Sequence, residues 1–150
     1  MIKEGEKAPG FRLKGVDGKI HTLSEFRGKR LVLYFYPKDD TPGCTIEAKD
    51  FTKYLPAIKK AGAEVVGISK DGYESHCDFR DKYMLKVLLL SDPSNKTIKA
   101  YDAYGNRGIF GMGTLRKTCI IDEKGKLMKD FGKVNALGHA KKVLEFLNGS

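Results

Sequence analysis

The 150-residue sequence contains no tryptophan, no CxxC pair and only three cysteines, at positions 44, 77 and 119. An odd number of separated cysteines argues against both a secreted disulfide framework and a zinc site built from paired cysteines. No apolar run approaches the roughly 20 residues that span a bilayer, and the start, MIKEGEKAPG, lacks the apolar core of a signal peptide. We therefore expect a cytoplasmic protein with no membrane partner, in which single thiols carry any redox chemistry.

Positive charge is in excess, with 28 Lys and Arg against 19 Asp and Glu and a net charge of +9. The basic residues are scattered and form only short pairs, such as Lys59-Lys60 and Lys141-Lys142. This distribution is typical of a solvated lysine-rich surface, so we expect no nucleic-acid partner. The length fits a single domain, residues 1–150, that can bury a core without disulfides.

Buried strands and amphipathic helices alternate through much of the sequence. Continuous apolar runs predict strands covered on both faces, and apolar residues spaced three and four apart predict helices. The predicted strands are Leu31–Tyr36, Ala63–Ile68 and Val87–Leu90, and the predicted helices are Cys44 to Gly62, Glu74–Met84, Ser94–Tyr104 and about Ala136–Leu147.

Two predicted hairpins flank this alternating region. Residues 11–20 alternate in polarity on either side of Asp17-Gly18, a pair typical of tight turns, and Leu115–Ile121 is followed by Lys126–Phe131 across a short polar turn. The glycine-rich segment 105–113 is predicted to be a loop. This order of elements predicts an α/β protein of the thioredoxin-like fold, with a mixed central β-sheet flanked by helices and an N-terminal β-hairpin.

Cys44 is the candidate nucleophile because it lies where a strand, a short loop and a helix meet. The strand ends at Pro37, and Cys44 opens the next helix. A free thiol has a pKa of about 8.5, and the unpaired N–H groups at a helix start favour the thiolate, which is the reactive form. Thr41, three residues earlier, can cap this turn and offer a hydrogen bond near the sulfur, while Pro37 shields the loop.

The segment PKDDTPGCTIEAKDF resembles the active-site segment of peroxiredoxins, and TPGCTxEA resembles their Q type, also called bacterioferritin comigratory protein. The resemblance covers nearly the whole chain. It includes residues 5–11 at the start, VVGISKDGYESHCDFRDKY, LLSDP, LRKTCIID and the last helix with His139.

The resemblance implies a cysteine-based peroxidase that reduces hydrogen peroxide and alkyl hydroperoxides and needs no metal or organic cofactor. Cys44 is implied to be the peroxidatic cysteine, which becomes a sulfenic acid. Thr41 is implied to hold the peroxide, Pro37 to shield the sulfur, and Arg116 to stabilise the thiolate and the transition state. Glu47 matches a family position that orients this arginine; the alternative is an exposed acid that only complements the helix dipole.

Alternation along the strand at 115–122 places Arg116 and Cys119 on opposite faces of the sheet. If Arg116 reaches the active site, Cys119 does not, so we expect Cys119 to belong to the core.

Resolution of the sulfenic acid is the least certain step of the implied cycle, because Lys49 stands where many Q-type members have a resolving cysteine. Resemblance to other members implies Cys77 instead. Cys77 lies about 200° round its helix from Phe79, so we expect it to be exposed, and we interpret the adjacent His76 as a helix-surface residue. A disulfide needs Cα atoms within about 7 Å, and two helices of one domain start farther apart than this. We therefore expect the first turns around Cys44 and the helix around Cys77 to unwind on oxidation.

The expected reductant is thioredoxin or a similar dithiol donor. Two alternatives stay open: a one-cysteine peroxidase resolved by an external thiol, and a peroxide sensor or redox relay without sustained turnover. The lack of a CxxC pair disfavours a disulfide reductase. We expect a monomer, with a dimer as the alternative.

Overall fold

The computed structural model describes residues 2–149, which form one seven-stranded sheet, a separate two-stranded hairpin, and helices on both sides of the large sheet. The strands are β1 (Arg12–Gly15), β2 (Ile20–Thr22), β3 (Arg30–Phe35), β4 (Ala63–Ser69), β5 (Leu88–Ser91), β6 (Tyr104–Asn106), β7 (Met112–Thr114), β8 (Lys117–Ile121) and β9 (Leu127–Lys133). The helices are α1 (Pro42–Lys60), α2 (Tyr73–Tyr83), α3 (Lys96–Ala100) and α4 (His139–Asn148), with 3₁₀ turns at Leu23–Phe26 and Gly108–Phe110.

The large sheet has the order β2-β1-β5-β4-β3-β8-β9. Its central strands β3, β4 and β5 run parallel, and the strands on both sides are antiparallel. The predicted mixed sheet and N-terminal hairpin are therefore confirmed. The hairpin turns at Asp17-Gly18, where Gly18 has a φ of 82° that glycine adopts without strain.

The strand β3 divides the core because its side chains alternate between the two faces of the sheet. Val32 and Tyr34 pack in one cluster with residues of α1, α2 and α4, while Leu33 and Phe35 pack in the other cluster with Ile98 of α3. Both faces are covered, which explains why the sequence of β3 is a continuous apolar run.

Most predicted boundaries shift by one or two residues, and three segments differ by more than that. The helix predicted over Ser94–Tyr104 is only α3, because Asp102 takes a left-handed φ of 57° and the chain then enters β6. The glycine-rich segment 105–113 is not an irregular loop: β6 and β7 pair, with Gly105 opposite Gly113. Glycine is a weak strand former, so the pattern hid this hairpin. Helix α4 begins at His139, after Gly138 with φ 77°.

Among the described residues, no helix is both long enough and apolar enough to cross a membrane.

Candidate active site

The loop between β3 and α1 delivers Cys44 to the first turn of α1. Thr41 precedes the helix in an extended conformation, and Pro42 occupies the first helical position, where a missing N–H is tolerated. The Thr41 hydroxyl donates to the Lys38 carbonyl at 2.8 Å and makes no capping bond to the helix. The expected cap at Thr41 is therefore wrong: its side chain closes the loop on itself instead.

The Cys44 sulfur is almost fully enclosed, with 2 % of the residue exposed, and it accepts a hydrogen bond from Arg116 Nη2 at 3.3 Å. Enclosure disfavours an anion, whereas the guanidinium and the N-terminus of α1 favour one. The predicted meeting of Cys44 and Arg116 is thus found in the structure, although the two residues are 72 positions apart.

Arg116 lies immediately before β8 and bridges the sulfur to a buried carboxyl group. Its Nη1 donates to Glu47 Oε1 at 2.7 Å. Burial lowers the pKa of Arg116, but the adjacent Glu47 and Cys44 raise it by more, so the guanidinium stays charged. The pair therefore places a fixed cation beside the sulfur.

Glu47 is fully buried, which excludes the alternative of an exposed acid at the helix start. Burial raises the pKa of Glu47 to about 7, although Arg116 lowers it. Within residues 2–149, Glu47 Oε2 has no hydrogen-bond partner. The carboxyl group is thus tied to the site through Arg116 alone.

Gly43 is a site residue that the sequence did not reveal. A Cβ at this position would lie 2.9 Å from Arg116 Nη2, so a larger residue would displace the guanidinium from its present place beside the sulfur. The available signal was a glycine inside the first helical turn, where that residue is unfavourable.

An open groove of about 340 Å³ leads to the Arg116 guanidinium. It is lined by Pro37, Arg107, Phe110, Leu115, Arg116, Lys133 and Val134. Pro37 and Arg116 both border it, so the groove opens beside the guanidinium that contacts the Cys44 sulfur. Among the described residues, no three His, Cys, Asp or Glu side chains are grouped as metal ligands.

Cys77 is half-buried, so the expectation that it is exposed is wrong. Its sulfur lies 3.8 Å from the Val16 carbonyl oxygen and packs at the margin of the core. The β1–β2 hairpin covers this part of α2, which helical spacing alone cannot show. Neither Cys77 nor Cys44 is in a disulfide.

Cys119 is fully buried in the cluster on the opposite face of the sheet from Cys44. The face assignment for Arg116 and Cys119 is therefore confirmed. Burial, together with Asp130, raises the pKa of the Cys119 thiol to about 12.

The two histidines on the Cys44 side of the sheet, His76 and His139, are buried. His76 is fully enclosed, so its interpretation as a surface residue is wrong; it lies three positions before Phe79 and shares the same buried helix face. His139 pairs with Thr118 Oγ1 at 2.8 Å. Burial, with Lys142 and Arg116 nearby, lowers the pKa of His139 to about 4, so this ring is neutral at pH 7.

Residues 4–129 match the model of the AhpC/TSA family. The chain belongs to this family. The chain is 48% identical over 149 residues to a Helicobacter pylori protein that bears the name peroxiredoxin bcp. The match covers 97% of this chain and 98% of that protein. The chain is 42% identical to peroxiredoxin Bcp of Bacillus subtilis, with 97% and 95% covered.

The fold also matches that of a solved structure. A cysteine-to-serine mutant of PrxQ from Xylella fastidiosa superposes with a TM-score of 0.96 at 30% identity, over 99% of this chain and 97% of that chain. The predicted resemblance to Q-type peroxiredoxins, the thioredoxin-like fold and the enzyme class are confirmed. The protein is a cysteine-based peroxidase, an oxidoreductase.

Proposed function

We propose that Cys44 is the peroxidatic nucleophile and that it reduces hydrogen peroxide and alkyl hydroperoxides. The observation that carries this assignment is the 3.3 Å contact between the Cys44 sulfur and the Arg116 guanidinium, made at the start of a helix. Within residues 2–149, neither Cys77 nor Cys119 accepts a hydrogen bond from a guanidinium, and neither lies in the first turn of a helix.

The proposed first step is attack of the Cys44 thiolate on one oxygen of the hydroperoxide. The S–O bond forms as the O–O bond breaks, and the departing hydroxide or alkoxide takes a proton to become water or an alcohol. Cys44 is oxidised by two electrons to a sulfenic acid and the peroxide is reduced. Arg116 stabilises the charge that moves from sulfur to the leaving oxygen, Thr41 hydrogen-bonds the peroxide, and Pro37 limits access of water.

Glu47 is proposed to be a positioning residue for Arg116. Its Oε1 holds one arm of the guanidinium, which leaves the other arm directed at the sulfur. A fork that binds two partners at once is a geometry that arginine provides and lysine does not.

Cys77 is proposed to resolve the sulfenic acid. Its thiol would displace water from sulfur to form a Cys44–Cys77 disulfide, which a dithiol donor such as thioredoxin would reduce by exchange. Cys77 lies beside Val16, whose backbone N–H donates to the carbonyl of Leu89 in β5. Cys44 follows β3, and β4 lies between β3 and β5 in the sheet, so the two cysteines are two strands apart. Two strand spacings are about 9.5 Å, beyond the reach of a disulfide. We therefore propose that the first turns around Cys44 and the helix around Cys77 unwind when the bond forms.

Peptide mapping after oxidation tests this cycle. Protein treated with equimolar peroxide is digested without reductant, and a Cys44–Cys77 peptide is expected in the wild type and absent from Cys77→Ser. A free Cys77 thiol in fully oxidised wild type would contradict the resolving role and favour an external thiol. Consumption of a single equivalent of peroxide despite thioredoxin and its reductase would favour a sensor.

We further propose that this single domain acts as a cytoplasmic monomer without a nucleic-acid or membrane partner, consistent with its scattered charge. Exposed apolar residues of the β6–β7 hairpin, Ile109 and Phe110, are the surface that a dimer would cover. Sedimentation of the reduced and oxidised protein distinguishes the two states.

A further inference from the structure

The loop between β3 and α1 is attached to α2 by a buried polar cluster that no step above uses. Asp39 is its centre: Tyr36 donates its hydroxyl proton to Asp39 Oδ1 at 2.6 Å, and the Ser75 hydroxyl donates to Oδ2 at 2.8 Å. His76 Nδ1 lies 2.6 Å from the same Oδ2. We call these four residues the Asp39 cluster.

The hydrogen bonds fix the number of protons that Asp39 and His76 hold together. His76 Nε2 lies 3.0 Å from the Leu90 carbonyl oxygen, which can only accept, so Nε2 carries a proton. The contact between Nδ1 and the carboxyl oxygen needs one more proton, on either group. The pair is therefore neutral as a whole, and each member is satisfied only while the other stays in place.

Burial makes this mutual dependence strong. The His76 side chain is 0% exposed and that of Asp39 is 3% exposed. Removing one partner of such a pair leaves the other polar group buried without compensation. The penalty disappears when both groups reach water together, so the cluster favours joint opening of the two segments over separate opening.

The two segments that the cluster joins are both used in the proposed cycle. Asp39 lies between Pro37 and Thr41 in the loop that shapes the peroxide site, and His76 directly precedes Cys77 on α2. A further link, from the Asp39 backbone N–H to Asp71 Oδ2 at 2.8 Å, anchors the same loop.

We propose that Asp39 and His76 are positioning residues that hold the peroxide-binding loop against α2 and make this loop and the Cys77-bearing helix open as one unit. The disulfide part of this inference rests on the proposed role of Cys77; the joint opening does not.

The adjacent residue Asp40 supplies a matched control. It also ties the loop to α2, through Lys82 Nζ at 2.8 Å and the Tyr83 hydroxyl at 2.5 Å, but these contacts are on the surface. Exposed ion pairs contribute little to stability. Asp40→Asn is the suitable change, because asparagine tolerates the left-handed φ of 58° at this position.

Hydrogen exchange of the reduced protein, read by mass spectrometry, measures the opening directly. In Asp39→Ala, we expect exchange of residues 37–45 and of α2 to rise together, by roughly tenfold or more, with α4 and β8 unchanged. Asp40→Asn should stay within about twofold of wild type. Asp39→Asn, which can hydrogen-bond a neutral His76, should restore most of the protection.

Kinetics provide a second readout that a general loss of stability would not produce. Asp39→Ala should lower the rate constant for Cys44 oxidation by peroxide and raise the rate of subsequent Cys44–Cys77 bond formation. If Asp39→Ala does not fold, Ser75→Ala removes a single bond to Asp39 and should shift both readouts in the same directions by a smaller factor.

Exchange that rises in only one of the two segments, or equally throughout the sheet, would overturn the inference. Equal effects of Asp39→Ala and Asp40→Asn would do the same. Joint opening without any Cys44–Cys77 disulfide would instead refute the resolving role of Cys77 and leave the positioning role of the Asp39 cluster intact.

Discussion

Cys44 and Cys119 are buried to nearly the same degree on opposite faces of one sheet, with 2% and 0% exposed. Their surroundings differ in charge. Cys44 accepts a hydrogen bond from the Arg116 guanidinium at 3.3 Å at the start of α1. Cys119 lies mid-strand, where burial and Asp130 raise the pKa of its thiol to about 12 although Lys117 lowers it. A nearby cation without a direct contact to the sulfur therefore does not offset burial.

The two faces of the sheet also differ in the groups that they bury. The Cys119 face is packed as a core around α3, and its buried Lys117 is paired with Asp130 at 3.2 Å. The Cys44 face combines a core with buried ionisable groups, since Glu47, His76 and His139 are all enclosed there. Burying such groups is unfavourable unless partners compensate. Groups whose pKa is shifted by burial, as for Glu47 and His139, concentrate at functional sites.

The largest predicted difference between Cys44 and Cys119 is the effect on peroxidase activity of removing each thiol. Cys44→Ser should abolish reduction of peroxide, because the nucleophile is lost. Cys119→Ala should keep peroxidase activity within about twofold and lower the free energy of unfolding by about 1 kcal/mol, since only a small core contact is removed. Coupled turnover assays and urea unfolding measure the two effects; activity lost in both variants would erase the contrast.

Removing the cation tests what makes Cys44 different. Arg116→Met should lower the second-order rate constant for peroxide by about 10²–10³, the range for loss of one transition-state donor. Arg116→Lys should recover only part of this, because lysine cannot hold Glu47 and the sulfur together. Arg107→Met, which changes a cation of the same groove, is the control and should stay within a few-fold. Stopped-flow mixing of reduced protein with peroxide gives these constants.

Glu47 should make the reactivity of Cys44 depend on pH near 7. Above this pH the ionised Glu47 holds Arg116 Nη1 firmly and keeps Nη2 directed at the Cys44 sulfur. Below it, the protonated carboxyl group holds the guanidinium less firmly, so the rate constant for peroxide should fall. Glu47→Gln should remove the corresponding inflection from the profile of peroxide rate against pH and change the rate at pH 7 by only a few-fold. An unchanged inflection in this variant would assign it to another group.

His139 should affect stability rather than chemistry. Its pKa is lowered in the folded state, to about 4 from an ordinary 6.5, so its neutral ring contributes stability that is present above pH 6.5 and is lost as the pH falls toward 4. The full loss amounts to at most about 3 kcal/mol. His139→Gln should flatten this part of the curve of unfolding free energy against pH, measured by urea unfolding.

The sequence was sufficient for the elements whose pattern is local. The apolar run of β3, the Asp17-Gly18 turn and the spacing of α1 all correspond to elements of the structure. Strand alternation also separated Arg116 from Cys119 correctly, because that argument needs only the period of a strand.

What the sequence could not provide depends on contacts between distant segments. Cys77 is half-buried because the β1–β2 hairpin covers α2, and the β6–β7 pairing rests on glycines with little strand preference. His76 is different: its spacing from Phe79 already indicated a buried face, but a polar residue there could be interpreted only once Asp39 was known to meet it.

The site of the first oxidation tests the proposed role of Cys44 most directly. Reduced Cys77→Ser protein, in which the sulfenic acid cannot be consumed by Cys77, is treated with equimolar peroxide and a dimedone probe, then mapped by mass spectrometry. We expect dimedone on Cys44 alone, with labelling strongly reduced in Cys77→Ser combined with Arg116→Met. Labelling of Cys119, or labelling of Cys44 at the same rate without Arg116, would contradict it.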